Sequence, residues 1–129
     1  MKYITNDFYK YASWEGLYMM DNVHAVTIKF KPEYWEKEDL IMTKLYKYCI
    51  ARKIDYILYT EVGGRNNLHV HGTIIYPSQM IRKRYQTWIN AVVGYIYHST
   101  TTDPKAWLLY CTKNQKPDNQ KIDNTIYMF

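Results

Sequence analysis

Two histidines and a glutamate near the middle of the chain have residue types and a spacing that suit metal binding. His69 and His71 lie one residue apart in the segment LHVHG, and Glu61 precedes His69 by eight residues. Because side chains alternate across a strand, the two histidines point to the same face. The segment GGRNN before them is typical of a tight turn, so we expect Glu61 on the neighbouring antiparallel strand, near both imidazoles.

Two imidazoles and a carboxylate form a ligand set for a divalent cation that keeps open positions. Mixed nitrogen and oxygen ligands suit Mn²⁺ better than Mg²⁺, which prefers oxygen, and Zn²⁺ or Co²⁺ also fit. The alternative is a pair of surface histidines that arises by chance in a strand. We predict a site for Mn²⁺ or Mg²⁺ held by Glu61, His69 and His71.

A second reactive pair lies near the C-terminal end of the sequence. The segment YCTK places Tyr110 and Lys113 three residues apart, on one face of a predicted helix. A free tyrosine has a pKa of about 10, so roughly one phenol in a thousand is ionised at neutral pH. A nucleophilic tyrosine therefore needs a nearby cation, and Lys113 and the metal are the candidates. The alternative is that Tyr110 packs the helix while Lys113 is solvated.

Local sequence patterns predict the strands and helices that carry these residues. Apolar alternation predicts strands, and apolar residues repeating every four positions predict helices. The predicted strands are 24–30, 55–62, 68–76 and 95–102, and the predicted helices are 33–52, 78–93 and one that opens at Asp103-Pro104. Residues 1–22 give no clear assignment. This order predicts an α+β fold with a mostly antiparallel sheet and flanking helices, close to the split ferredoxin-like pattern.

Composition places limits on the class of protein. The chain has 129 residues, 47% of them apolar, which suits one compact domain, and its net charge of +5 is compatible with a polyanionic partner. Neither a signal peptide nor an apolar run of membrane-spanning length is present, and Cys49 and Cys111 lack disulfide spacing. We therefore expect an intracellular protein. The 15 tyrosines are typical of a tyrosine-rich sheet, with base-stacking platforms as the alternative.

Taken together, these motifs resemble the HUH endonucleases, the replication initiators of single-stranded DNA viruses and rolling-circle plasmids. Three family motifs find matches in the right order: HAVTIKF with a central Thr27, HVHG at 69–72 and YCTK at 110–113. Glu61 stands at the spacing found in viral members. The YC-x-K form is similar to that of small circular-DNA virus initiators, and the resemblance spans about residues 24–115.

The resemblance implies a metal-dependent, site-specific single-stranded DNA endonuclease that initiates replication at an origin. Tyr110 would attack the scissile phosphate and become joined to the 5′ phosphate, and a later attack by a 3′-OH would rejoin the strand. Lys113 would steady the phosphate or assist proton transfer, with Asn114 as an auxiliary polar group. The nuclease domain would occupy 1–115, followed by a polar tail at 116–129.

Many members of that family continue into a helicase domain, and this sequence contains no Walker motif. The sequence would then be either a small stand-alone initiator or a nuclease fragment. If it stands alone, a helicase or polymerase of the host or virus would supply unwinding, with the nuclease as a monomer or homodimer. The expected DNA contacts are Thr27, Lys29, Lys31, Arg65, Asn67 and Asn114. The basic run at 82–84 is expected to be a solvated helix face.

Three other functions share some of these residues. A two-histidine RNA phosphoesterase would use the repeated His-x-Thr segments HGT at 71–73 and HST at 98–100, without metal. A non-catalytic module would hold single-stranded nucleic acid by stacking alone. A non-haem iron oxygenase would use two histidines and one carboxylate, although the order here does not favour it.

Overall fold

The computed structural model describes residues 2–5 and 23–99, which form a five-stranded antiparallel sheet and two α-helices. The strands are β1 (Lys2–Ile4), β2 (Val23–Phe30), β3 (Asp55–Val62), β4 (Leu68–Ile75) and β5 (Gly94–Ser99), and the helices are α1 (Glu38–Ala51) and α2 (Gln79–Trp88). The strand order is β1-β3-β4-β2-β5, with every neighbouring pair antiparallel. The predicted α+β class is confirmed at this level.

One face of the sheet, which carries the even-numbered side chains of β2, β3, β4 and β5, forms the apolar core with the helices. Alternation along the strands places a continuous apolar surface there, on which the predicted periodic face of α1 packs. The buried residues that share this core include Val26, Ile28, Leu58, Val70 and Ile96 of the sheet, Ile41, Leu45 and Cys49 of α1, and Tyr85 of α2. The opposite, odd-numbered face carries Glu61, His69 and His71.

The helix predicted over 33–52 is shorter than expected. Pro32–Tyr34 form a 3-10 turn, and α1 begins at Glu38. Proline suits the first turn of such an element because it has no amide hydrogen to donate. The indole of Trp35 donates a hydrogen bond of 2.9 Å to the carbonyl of Phe30 and ties the turn to the end of β2.

The second helix begins as the sequence predicts and ends early. The hydroxyl of Ser78 accepts a hydrogen bond of 3.2 Å from the amide of Ile81, which is the predicted N-cap. Residues Ile89–Val93 continue as a π-helical turn, and Gly94 opens β5.

The first strand was not expected from the sequence. β1 pairs with β3 and extends the sheet beyond the elements predicted for 24–102. The predicted third helix with Tyr110, Cys111, Lys113 and Asn114 lies outside the described residues, as does the tail at 116–129. In the part of the chain that is described, neither helix has the length and apolar character needed to cross a membrane.

Candidate metal centre

The three residues of the predicted site meet because of the register of the β3–β4 hairpin. Glu61 lies directly opposite His69, and Tyr59 lies opposite His71. The turn between the strands has two successive residues with positive φ, Arg65 (φ 61°) and Asn66 (φ 61°). Paired left-handed residues match the twist of an antiparallel hairpin, so this turn sets the register that brings carboxylate and imidazoles together.

Both imidazoles face the carboxylate through the same ring nitrogen. The Nε2 atoms of His69 and His71 lie 3.7 Å and 3.5 Å from Oε2 of Glu61. The two rings meet edge to face, with centroids 4.9 Å apart. The donor atoms of all three residues lie within 4.8 Å of one another. Two donors on one cation at bonds of about 2.1–2.2 Å are at most about 4.4 Å apart, so small rotamer adjustments suffice for joint ligation.

The other ring nitrogen of each histidine has a partner of its own. Nδ1 of His71 lies 2.9 Å from the hydroxyl oxygen of Thr27, and Nδ1 of His69 lies 3.4 Å from the backbone carbonyl oxygen of Asn67. A carbonyl oxygen only accepts, so His69 donates from Nδ1, and Nε2 is the ring atom available to a cation. Such outer partners orient the imidazoles of metal sites. Thr27 was predicted as a DNA contact, and its hydrogen bond to His71 was not predicted from the sequence.

A steric constraint explains why glycine follows the two histidines. A Cβ atom built on Gly72 would lie 2.0 Å from the carbonyl oxygen of Ile57 and 2.8 Å from Cα of Leu58. β3 and β4 therefore approach each other at a distance that only glycine permits. This close approach keeps the strand that carries the histidines against the strand that carries the glutamate.

A cavity of about 450 Å³ opens over the three residues. It is lined by Thr27, Lys29, Phe30, Trp35, Glu61, Asn67, Leu68, His69 and His71. The side chains of His69 and Glu61 are 17% and 14% exposed, and that of His71 is 7% exposed. The three residues thus line an open depression, from which a charged substrate has access to them.

The structure places only some of the predicted DNA contacts at the cavity over the three candidate ligands. Lys29 and Asn67 line the cavity, whereas the ammonium group of Lys31 donates a hydrogen bond of 3.1 Å to the carbonyl of Ala91. Arg65 and Asn66 line a neighbouring depression of about 300 Å³. Trp35 borders both depressions, a position that no sequence signal indicated.

His98 lies on the opposite face of the sheet from His71. It pairs with Val26 of the core face, and its Nε2 lies 2.6 Å from the hydroxyl of Tyr76. Burial, His24 and Arg82 lower the pKa of His98 to about 4. His71 and His98 therefore do not share one face of the sheet, an arrangement that does not favour the two-histidine phosphoesterase alternative.

Comparisons with known proteins add no further constraint. Neither a scan of protein-family models nor searches of curated proteins and solved structures returned a match to this chain.

Proposed function

We propose that this protein is a metal-dependent, site-specific single-stranded DNA endonuclease and strand-joining enzyme that initiates rolling-circle-type replication. The observation that carries the proposal is the convergence of Glu61, His69 and His71 beneath an open cavity. The two motifs of the resemblance that fall on described residues, Thr27 and the histidine pair, lie side by side on adjacent strands.

The donor set fits a divalent cation. Glu61 would supply a carboxylate oxygen, and His69 and His71 would supply neutral Nε2 atoms whose rings are oriented through Nδ1. The mixed set favours Mn²⁺ over Mg²⁺. When bound, such a cation supplies positive charge that polarises a scissile phosphodiester.

The sequence motif YCTK supports the phenol of Tyr110 as the nucleophile. Its oxygen forms a bond to phosphorus as the bond from phosphorus to the 3′ oxygen breaks, with in-line geometry. The phenolic proton is lost, the departing 3′ oxygen gains a proton, and the 5′ phosphate remains joined to Tyr110. Lys113 stabilises the phosphate or assists proton transfer, and Asn114 is an auxiliary polar group. Reversal by a 3′-OH releases the tyrosine and rejoins the strand.

The finer fold assignment forms part of the same proposal. The elements from β2 to β5 follow the order strand, helix, strand, strand, helix, strand. Within the sheet, β5-β2-β4-β3 are neighbours in that order. Both features support a split ferredoxin-like arrangement, the fold expected of an HUH endonuclease domain over residues 1–115.

The DNA contacts follow from the lining of the cavity. Lys29 is exposed and stands beside His69 on the adjacent strand, where it contacts the phosphate next to the cleaved one. Asn67 contributes an amide at the rim, and Arg65 extends the basic surface at the hairpin tip. Thr27 acts through His71, as a positioning residue.

The partners of the proposed enzyme follow from its reaction. Its substrate is single-stranded DNA at a replication origin, and a helicase or polymerase of the host or virus opens and extends that DNA. The enzyme acts as a monomer or homodimer inside the cell, in the cytoplasm or in the nucleus of an infected eukaryotic host.

The test is a covalent-adduct assay. The full chain is incubated with Mn²⁺ and a randomised single-stranded DNA pool, to which pools with stem-loops are added, and is then run on a denaturing gel. We expect a shifted band that EDTA and Tyr110→Phe abolish, because metal and phenol are both required. Sequencing the trapped DNA identifies the origin site.

Matched variants separate the site from general effects. Tyr46 is exposed on α1, and Asp39 is exposed in the first turn of that helix, so Tyr46→Phe and Asp39→Asn should leave the adduct unchanged. Glu61→Gln should weaken Mn²⁺ binding, measured by electron paramagnetic resonance, as well as the adduct. Binding of single-stranded DNA with no adduct from either pool would contradict the nuclease and favour the non-catalytic module.

A further inference from the structure

The sheet face that carries the metal centre continues across β2 to β5, where two tyrosines are exposed. In the register of the sheet, His71, Thr27 and Tyr97 form one row. His69, Lys29 and Tyr95 form the next row. All six side chains therefore point to the same face. Strand spacing places β5 about 10 Å from β4, the length of about three stacked bases in a strand.

The two tyrosines differ from most of the large apolar side chains on this sheet. Tyr95 and Tyr97 are 50% and 49% exposed, whereas Tyr59 on the same face is 5% exposed. Their ring centroids are 4.5 Å apart, and the ammonium group of Lys29 lies 5.5 Å from the centroid of the Tyr97 ring. Two exposed rings with a cation beside them, next to a site for phosphodiester chemistry, combine the elements of a single-strand binding surface.

We infer that Tyr95 and Tyr97 form a base-stacking platform that holds the single-stranded DNA flanking the scissile phosphate. Lys29 binds the phosphate that lies between the stacked bases and the scissile phosphate. This inference rests on the proposed function, because it names how the substrate of that site is held. Single strands are the matching occupant, since their bases offer free faces to an aromatic ring while those of a duplex are stacked. The platform is sequence-tolerant, so origin recognition must come from other contacts.

The test is binding of the full chain to a fluorescein-labelled oligothymidine of about 15 nucleotides, in EDTA so that no chemistry occurs. A strand of equal length without bases serves as the second probe. We expect Tyr95→Leu and Tyr97→Leu each to raise Kd for oligothymidine about 5- to 100-fold. Tyr95→Phe and Tyr97→Phe, which keep the rings, should bind as the original protein does. Against the strand without bases, all variants should bind alike.

Two controls make the outcomes distinct. Tyr46→Leu removes an exposed ring from α1 and should leave Kd unchanged, and thermal unfolding checks that every variant folds. Leucine variants that bind oligothymidine as tightly as the original protein would overturn the platform, while an adduct on Tyr110 would leave the nuclease standing. Ring-dependent binding with no adduct would uphold the platform and overturn the nuclease. Absence of any binding to oligothymidine would overturn the platform as well.

Discussion

Replacing Thr27 by valine removes one hydrogen bond from the candidate metal centre and keeps the shape of the side chain. The hydroxyl of Thr27 lies 2.9 Å from Nδ1 of His71, whose side chain is only 7% exposed. A cation on Nε2 requires the ring proton on Nδ1, where the hydroxyl of Thr27 can accept it. Valine offers no acceptor, so this buried N–H would be left unsatisfied in the metal-bound state, which costs binding free energy.

The expected loss follows from that single contact. Outer-shell substitutions typically lower metal affinity about 10- to 100-fold, which corresponds to about 1.4–2.7 kcal/mol of binding free energy. The cost of leaving one buried donor unsatisfied, about 1–3 kcal/mol, agrees with this range. Isothermal titration of Mn²⁺ into the purified variant measures Kd directly, without DNA.

Two further variants make the measurement decisive. Thr27→Ser retains the hydroxyl and should bind Mn²⁺ nearly as tightly as the original protein. Thr87→Val removes a hydroxyl that donates to the carbonyl of Lys83 in α2, away from the site, and should leave Kd unchanged. An unchanged Kd in Thr27→Val would refute the claim that Thr27 positions His71 for ligation.

Three other outcomes concern stability. Gly72→Ala should lower the free energy of unfolding by about 1–3 kcal/mol in a urea titration, because its Cβ would meet the carbonyl oxygen of Ile57, and an unchanged midpoint would disprove the contact. Burial holds the pKa of His98 near 4 in the folded protein, below its value of about 6.5 in the unfolded chain. The neutral ring therefore favours folding above about pH 6.5, and this contribution to stability is lost as pH falls toward 4. His98→Phe should flatten that pH dependence of the urea midpoint, and an equally steep profile would argue against it. Arg65→Gly should raise the unfolding temperature slightly, because glycine adopts a positive φ without the steric strain that arginine has there. A lower unfolding temperature would show that Arg65 makes compensating contacts.

The strands of the site could be predicted because their signals are local. β-branched and aromatic residues are frequent in β2, β3 and β4, and the glycine- and asparagine-rich turn joins the latter two. From these features the common face of His69 and His71, and the proximity of Glu61, follow without a structure. β1 escaped prediction because a strand of three residues has too short a pattern to stand out. The early part of the predicted first helix failed because Pro32 and the Trp35 indole favour a 3-10 turn.

Local sequence patterns predict the candidate ligands, their common strand face and the α+β class, because alternation and turn chemistry act over a few residues. Contacts between distant residues depend on how the strands pair. Pairing of β2 with β4 brings Thr27 to His71, and pairing of β2 with β5 carries Tyr95 and Tyr97 onto the face of the candidate metal centre. The pairing of β2 with β5 also places His98 on the opposite face of the sheet from His71. Those pairings join segments far apart in the chain, and burial of the shared core selects them, which no local pattern encodes.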